Sequence, residues 1–584
     1  MALRRGVGFA LAFIGLAVLV SFAGITFMYL AVSRAPSVPS AATLVLRPGG
    51  DLQEVVPDDV LGQVFGRDAA TVSGFVDNLH KAKRDSRIKT VLLMPSSLQL
   101  PYWGKVQELR DAVLDFRKSG KRVVAFLEYG GDREYYLASA ADRVFLLPSS
   151  PLDLSGVASY EIFLRGAFDK IGAYPDFLHV GEYKSAANQL TEKGFTPEHR
   201  EMTESLNRDM YDQLVRGIAE SRKKSEQDVR AILDQGPFVP DEALRLGLVD
   251  DLAYEDQLAE REPGIGEEDE DRVDGRSYQR ITPASVGFRP RSRIAVLYAV
   301  GTITSGRSTF DPLNGTILGS DTLVEQIREA RDDGSIKAIV LRVDSPGGSS
   351  VASDVIWREL MVTRKEDDDR PLIVSMSDLA ASGGYYIAMA AHSIVAQPGT
   401  ITGSIGVFGG KIAIGGALNK IGVNSETVVS GANAGINSPF APFTPPQRTK
   451  LQEIMQVIYD DFVEKAAESR MTTTQKIHAV AQGRVWTGQQ ARERGLVDAL
   501  GGLDTAVAIA KERAKIPVDE DVELVVYTGR RSLYEALSET LGGASILSRF
   551  AGANEARAVG ALSAPMRLFK RGEPLTLLPF AFVR

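Results

Sequence analysis

Arg87-Ile-Lys-Thr-Val-Leu-Leu reappears as Ser335-Ile-Lys-Ala-Ile-Val-Leu, an offset of 336 − 88 = 248 for the shared Ile-Lys. Tyr135-Tyr-Leu-Ala-Ser-Ala-Ala reappears as Tyr385-Tyr-Ile-Ala-Met-Ala-Ala (385 − 135 = 250), and Gly247-Leu-Val-Asp as Gly495-Leu-Val-Asp (495 − 247 = 248). One four-residue match arises by chance; several in the same order at a near-constant offset mark a duplicated unit. Within the second copy, Arg293-Ile-Ala-Val-Leu-Tyr-Ala-Val, Ile336-Lys-Ala-Ile-Val-Leu-Arg-Val and Leu372-Ile-Val-Ser-Met are short apolar runs, with amphipathic segments such as Asp321 to Asp332 between them. That alternation predicts βαβ units, hence a largely parallel sheet covered by helices in each copy.

Glu260 to Ser285 contains Gly266-Glu-Glu-Asp-Glu-Asp-Arg, a self-repelling polar stretch. The expected organisation is therefore an N-terminal segment at 1–34, a first repeat at 42–259, an acidic linker at 260–285, a second repeat at 286–515 and an extension at 516–584 that matches neither copy. The 26 residues from Val7 to Val32 carry no charged side chain. As a helix they would reach about 39 Å, enough to cross a hydrocarbon core of about 30 Å with tilt. Arg4 and Arg5 precede the run and Arg34 alone follows it before Ala42, so the positive-inside bias leaves the N-terminus in the cytoplasm and the body outside.

Composition narrows the chemistry. Of 584 residues, 44% are hydrophobic and 24% charged, with 67 Lys+Arg against 75 Asp+Glu and a net charge of −8. No basic block follows a phosphate backbone, so nucleic acid is not an expected partner. The absence of cysteine excludes disulfides, thiolate ligands and a Cys nucleophile, and five histidines argue against a histidine metal site.

In the second copy a strand runs into Asp344-Ser-Pro-Gly347-Gly348-Ser, where a glycine pair lets the backbone turn with its N–H groups exposed. The next strand ends in Ala380-Ala-Ser382-Gly383-Gly-Tyr-Tyr, with small residues around a serine at the start of an apolar helix. Taken alone, the glycine pair reads as a turn and Ser382 as a helix N-cap. With Ile401-Thr-Gly-Ser404-Ile-Gly, however, these blocks resemble the signal peptide peptidase A (protease IV) family. Those are membrane-bound Ser/Lys serine proteases with a ClpP/crotonase-like α/β fold. The length, the repeat and the anchor correspond to the family's tandem form.

The resemblance implies two tandem ClpP/crotonase-like domains preceded by one transmembrane helix. It also implies Ser382 as nucleophile, Ser404 as the residue orienting the general-base lysine, and an oxyanion site between the Gly383 N–H and an N–H of Gly347 or Gly348. In the family's short form the lysine lies in a Ser-Gly-Ala-x-Lys segment, but here Ser430-Gly-Ala-Asn-Ala434 ends in alanine. The repeat offset leads to 434 − 250 = 184, and Gly181-Glu-Tyr-Lys184 supplies the amine. Conversely 382 − 250 = 132 is Asp132, and Met94-Pro-Ser-Ser stands where the second copy has its glycine pair. Each copy keeps one half of a dyad, so a composite site between the domains is expected.

Lys411 and His392 are rival bases, and Ser221-Arg-Lys-Lys224 formally fits Ser-x-x-Lys but sits in a charged helical pattern. The activity implied is cleavage of signal peptides left in a bacterial cytoplasmic membrane, by a body on the extracytoplasmic side of a homo-oligomer, expected to be a tetramer, with no cofactor or metal. Two other functions share these features: a catalytically silent membrane scaffold, and a crotonase-like acyl-CoA enzyme.

Overall fold

The computed structural model describes residues 15, 19, 20, 24, 37–54, 70–266, 269–311, 315–366, 369–527, 574–578 and 582–583. Two sheets form its frame, the first parallel and the second parallel except for its edge strand Val485–Thr487, which runs antiparallel to Ile401–Gly403. The first runs Asp251–Leu252, Arg143–Leu146, Arg122–Leu127, Ile88–Leu93, Ala42–Leu46, Arg272–Asp274. The second runs Val485–Thr487, Ile401–Gly403, Leu372–Ala381, Ile336–Ser345, Ser292–Val300, Val522–Val526, with Ser393–Ala396 also beside Leu372–Ala381. Its central strand Leu372–Ala381 is buried along its whole length, as expected where helices cover both faces of a sheet.

The repeat is longer than its sequence signature. Arg272–Asp274, inside the stretch expected to be a solvated linker, is a strand parallel to Ala42–Leu46, and Gly275–Gln279 is a helix beyond it. Val522–Val526, in the expected extension, pairs in the same way with Ser292–Val300. The two strands correspond at the repeat offset (272 + 250 = 522). Both stand at a sheet edge, where charged side chains reach water while the backbone pairs, and this is why the charge run there does not prevent a strand. No helix among the described residues is long and apolar enough to cross a membrane. The anchor expected at 7–32 lies outside them, apart from Gly15, Leu19, Val20 and Gly24, which are helical.

The units interlock. Tyr174–Val180 of the first pairs antiparallel with Val407–Ala413 of the second, from Tyr174 opposite Ala413 to Val180 opposite Val407. The Asp378 carboxylate accepts the Lys105 N–H (2.8 Å) at the start of helix Gly104–Arg117, so one unit caps a helix of the other. Lys105 Nζ pairs with Asp344 at 2.8 Å. Behind them Arg342, 1% exposed, reaches Glu54 (2.8 Å), Glu108 (2.5 Å) and Ser375 (2.8 Å). Buried cations of this kind are costly to remove, because the carboxylates left behind stay buried without their counter-charge. Arg342→Ala is expected to destabilise the assembly by about 3–5 kcal/mol, read as a lower denaturant midpoint; an unchanged midpoint would show that water or rearrangement compensates the two glutamates.

Candidate active site

Where Tyr174–Val180 leaves the shared sheet, Gly181 turns the chain and Lys184 enters the second unit. The turn is held from the other side: the Tyr183 N–H donates to the Gln482 carbonyl (2.8 Å), and Arg484 pairs with Glu201. Gly483, at φ +76°, lies so close that a Cβ there would come within 2.5–2.6 Å of the Lys184 backbone and Cβ. A larger residue at that position would push the lysine loop away. The lysine side chain is 1% exposed.

Ser382 follows Leu372–Ala381 and precedes helix Gly383–Ala388, at φ 56° and ψ −113°. A non-glycine residue in this region stores on the order of 1–3 kcal/mol, and such sharp strand-to-helix turns aim a side chain into a site. The N-cap reading of Ser382 fails: it holds the cap position, but its side chain makes no cap hydrogen bond. Its Oγ instead lies 2.9 Å from Lys184 Nζ. Ser404, also left-handed (φ 53°), offers Nζ its Oγ at 3.0 Å and its carbonyl oxygen at 3.1 Å. Ser382 and Ser404 are both fully buried.

This geometry suits a neutral amine. An NH₂ group has two hydrogens and one lone pair; the Ser404 carbonyl can only accept, and Ser404 Oγ takes the second hydrogen, so the lone pair faces the Ser382 hydroxyl. Burial alone depresses the Lys184 pKa, to about 7, with no charged neighbour contributing. The amine therefore passes between its charged and neutral forms near neutrality rather than near 10.4.

Gly383 heads its helix, where the first turn leaves backbone N–H groups without intrahelical acceptors. Gly347, at φ +94°, approaches so closely that a Cβ there would sit 2.5 Å from the Gly383 nitrogen. The Gly347 N–H donates to Ser345 Oγ at 3.1 Å, and Gly348 pairs with Thr576 in a β-ladder. The expected oxyanion glycines thus converge on one spot, with their N–H groups engaged differently.

The rivals lie elsewhere. Lys411 Nζ donates to the Ile436 carbonyl and stands over the Phe443 ring. His392 Nδ1 accepts the Leu372 N–H. Ser221 Oγ accepts from Arg110. Asp132, the counterpart of Ser382, caps the Ser155 and Gly156 N–H groups, and Ala434 lies in an exposed turn. Sequence reasoning missed Gln482 and Gly483: a Gln-Gly pair before a strand reads as an ordinary turn, and its service to a lysine some 300 positions earlier is a tertiary fact.

The model of "Peptidase family S49" matches residues 115–263 and 364–517, just over half of the chain. The chain belongs to that family. It is a serine protease by that membership. "Serine protease SPPA, chloroplastic" of Arabidopsis thaliana is 38% identical over 458 residues, covering 77% of this chain and 66% of that protein. "Protease 4" of Salmonella typhi is 36% identical over 454 residues, covering 76% of this chain and 72% of its own length. Among solved structures, a mutant of the 1510-N membrane-bound stomatin-specific protease in complex with a substrate peptide matches at 16% identity and a TM-score of 0.26, over 43% of this chain and 98% of that one.

Proposed function

We propose that this S49 chain is a membrane-anchored endopeptidase with a Ser382/Lys184 dyad assembled from both repeats, acting on signal peptides that remain in the bilayer after preprotein processing. The observation that carries the reading is the 2.9 Å contact between Lys184 Nζ and Ser382 Oγ. Neutral Lys184 takes the Ser382 proton as Oγ attacks the scissile carbonyl; the oxyanion forms beside the Gly383 N–H; the ammonium then gives its proton to the departing amine. Water attacks the acyl-serine, again with Lys184 as base, and returns Ser382. Ser404 keeps the amine aimed. An anchor at residues 7–32 would hold this site near the surface of a bacterial cytoplasmic membrane, where apolar extended peptides emerge.

Assembly into a ring-like homo-oligomer, a tetramer by family resemblance, belongs to the same proposal. Lys170-Ile-Gly and Lys420-Ile-Gly match at 420 − 170 = 250, so residues 424–430 are the counterparts of strand Tyr174–Val180 (174 + 250 = 424; 180 + 250 = 430). They form no strand and are exposed, with Val428 98% accessible. A second copy offers the partner that the first unit's strand finds within the chain.

The test is a fluorophosphonate probe on the full chain. Ser382 is expected to be the labelled residue. The labelling rate is expected to rise with pH through a midpoint near 7, as Lys184 loses its proton, and to be about a hundredfold lower two pH units below that midpoint. A label on another residue, or a rate indifferent to pH, would refute the dyad.

A further inference from the structure

The strand that delivers Ser382 is irregular. Ile336–Ser345 and Leu372–Ala381 run parallel and in step as far as Val343 opposite Met376, and the next pair is Ser345 opposite Ala380. Between these pairs one strand advances two residues (345 − 343) and the other four (380 − 376), so Ser377, Asp378 and Leu379 form a bulge just ahead of the nucleophile. Bulges bend a strand and re-aim the side chains beside them, and they recur next to active sites.

The first repeat holds each residue of the bulge. Ser377 Oγ donates to the Glu54 carboxylate. Asp378 Oδ1 accepts the Lys105 N–H at 2.8 Å. Leu379 is buried in an apolar cluster built mainly by first-repeat side chains, Trp103 and Val106 among them. Gly104 packs directly on the bulge backbone: a Cβ there would stand 2.7 Å from the Ser377 carbonyl oxygen and 3.1 Å from the Asp378 Cα. Lys105 then reaches across to the other strand, where its Nζ pairs with Asp344 at 2.8 Å. Asp344 leads into the glycine loop: the next residue, Ser345, donates its hydroxyl to the Gly301 carbonyl (2.7 Å) and accepts the Gly347 N–H (3.1 Å). One residue of the first repeat therefore ties the bulge before Ser382 to the strand end before Gly347.

Lys105 and Lys184 are both buried, yet their surroundings give them opposite charge states. At Lys184 burial acts alone and depresses the pKa. Burial opposes the Lys105 ammonium too, but the carboxylates of Asp344, Asp378 and Glu54 outweigh it and hold its pKa above the ordinary value. Lys105 is thus a fixed cation, unable to take the Ser382 proton and suited to holding carboxylates in place. An ion pair shut away from water is little screened, so it fixes geometry more firmly than a surface pair does.

We infer that Lys105 is a positioning residue for catalysis: packed on the bulge together with Gly104, it sets the aim of Ser382 relative to the Gly347 loop, so that the first repeat contributes the alignment of the nucleophile as well as the base. The inference rests on the proposed peptidase reading for the reaction that is aligned. A misplacement on the order of 1 Å at a reacting centre costs about 10²-fold in rate, so such a scaffold is visible in kinetics.

The test compares the full-length parent with Lys105→Met, which removes the cation, and Gly104→Ala, which moves the bulge without changing a charge. A fluorophosphonate probe reads two quantities, the final fraction of chains labelled on Ser382 and the rate constant of labelling, and a quenched peptide gives kcat and KM. Both variants are expected to label to completion with rate constants about 10–100-fold below the parent, and to lose kcat by a similar factor with KM within about threefold. If Lys105→Met fails to fold, K105M/D344N removes both charges together and should show the same loss of rate, since a buried ion left without its partner is what endangers folding. A residue with only a structural role would lower the labelled fraction and leave the rate constant of the remaining sites unchanged; that result overturns the inference, as does a raised KM at constant kcat. Failure of the peptidase reading has a different signature. If Lys184→Ala does not slow labelling of Ser382, the dyad is refuted while the ratio of variant to parent rates still decides the role of Lys105; if the parent takes no label on Ser382, both fall.

Discussion

Lys184→Ala is expected to lower kcat/KM for a peptide substrate by about 10⁴-fold or more at neutral pH, the scale seen when one member of a serine-based catalytic unit is removed. The described residues of the site offer no substitute base. Among the described residues, the hydrogen bonds to Nζ come from Ser382 and Ser404 alone, while Lys411 and His392 are engaged elsewhere by a carbonyl and a backbone N–H. Ser382→Ala should cost as much, and the double variant no more than either single one, because groups that act as a unit do not contribute additively. Lys184→Arg should be equally inactive, since a guanidinium does not shed its proton near neutrality.

The fold should survive the alanine variant, and the sign can be worked out. The amine's pKa falls from 10.5 to about 7 in the folded chain. The unfolded chain therefore binds more protons between those values, and stability rises with pH across that window. At neutral pH the lysine weakens the fold, so its removal should leave the denaturation midpoint unchanged or higher. Steady-state kinetics with a quenched peptide, paired with a denaturant titration, checks both statements. Retention of more than about a hundredth of the parent activity would show that Ser382 is activated by something other than Lys184.

Gly347→Ala is expected to be the next most damaging change, lowering kcat by about 10²–10³-fold, the usual loss when one oxyanion donor is removed. The residue does not need to supply the donor for this to hold. At φ +94° it is in a backbone region that a side chain strains, and its new Cβ would stand 2.5 Å from the Gly383 nitrogen, covering that N–H. The same Cβ would collide with the Thr576 carbonyl oxygen, so the pairing of strand Leu575–Leu577 with Gly347–Ser349 should be loosened as well. A kcat within about tenfold of the parent would remove Gly383 from the chemistry.

Much of the site was legible before any coordinates, because duplication converts local sequence into long-range information. The offset between Tyr135-Tyr and Tyr385-Tyr carried the vacancy at Ala434 back to Lys184, and the amine there meets Ser382. The same offset carried to Arg272 would have exposed the edge strand Arg272–Asp274 inside a run of charges. It was obscured because periodicity is weak in a three-residue strand and acidic composition suggests solvation.

The chain's covalent order alone determined which chemical groups each repeat kept: an amine in one, an alcohol and the small residues around it in the other. That is a property of residue identity and spacing, and it needs no contacts to be read. Three things were decided only by packing: the depressed lysine pKa, the Gln482–Gly483 clamp on its loop, and the pairing of strand Leu575–Leu577 with Gly347–Ser349 near Ser382. Each depends on which distant segments exclude water from one another, a quantity that burial sets and that no local pattern along the chain encodes.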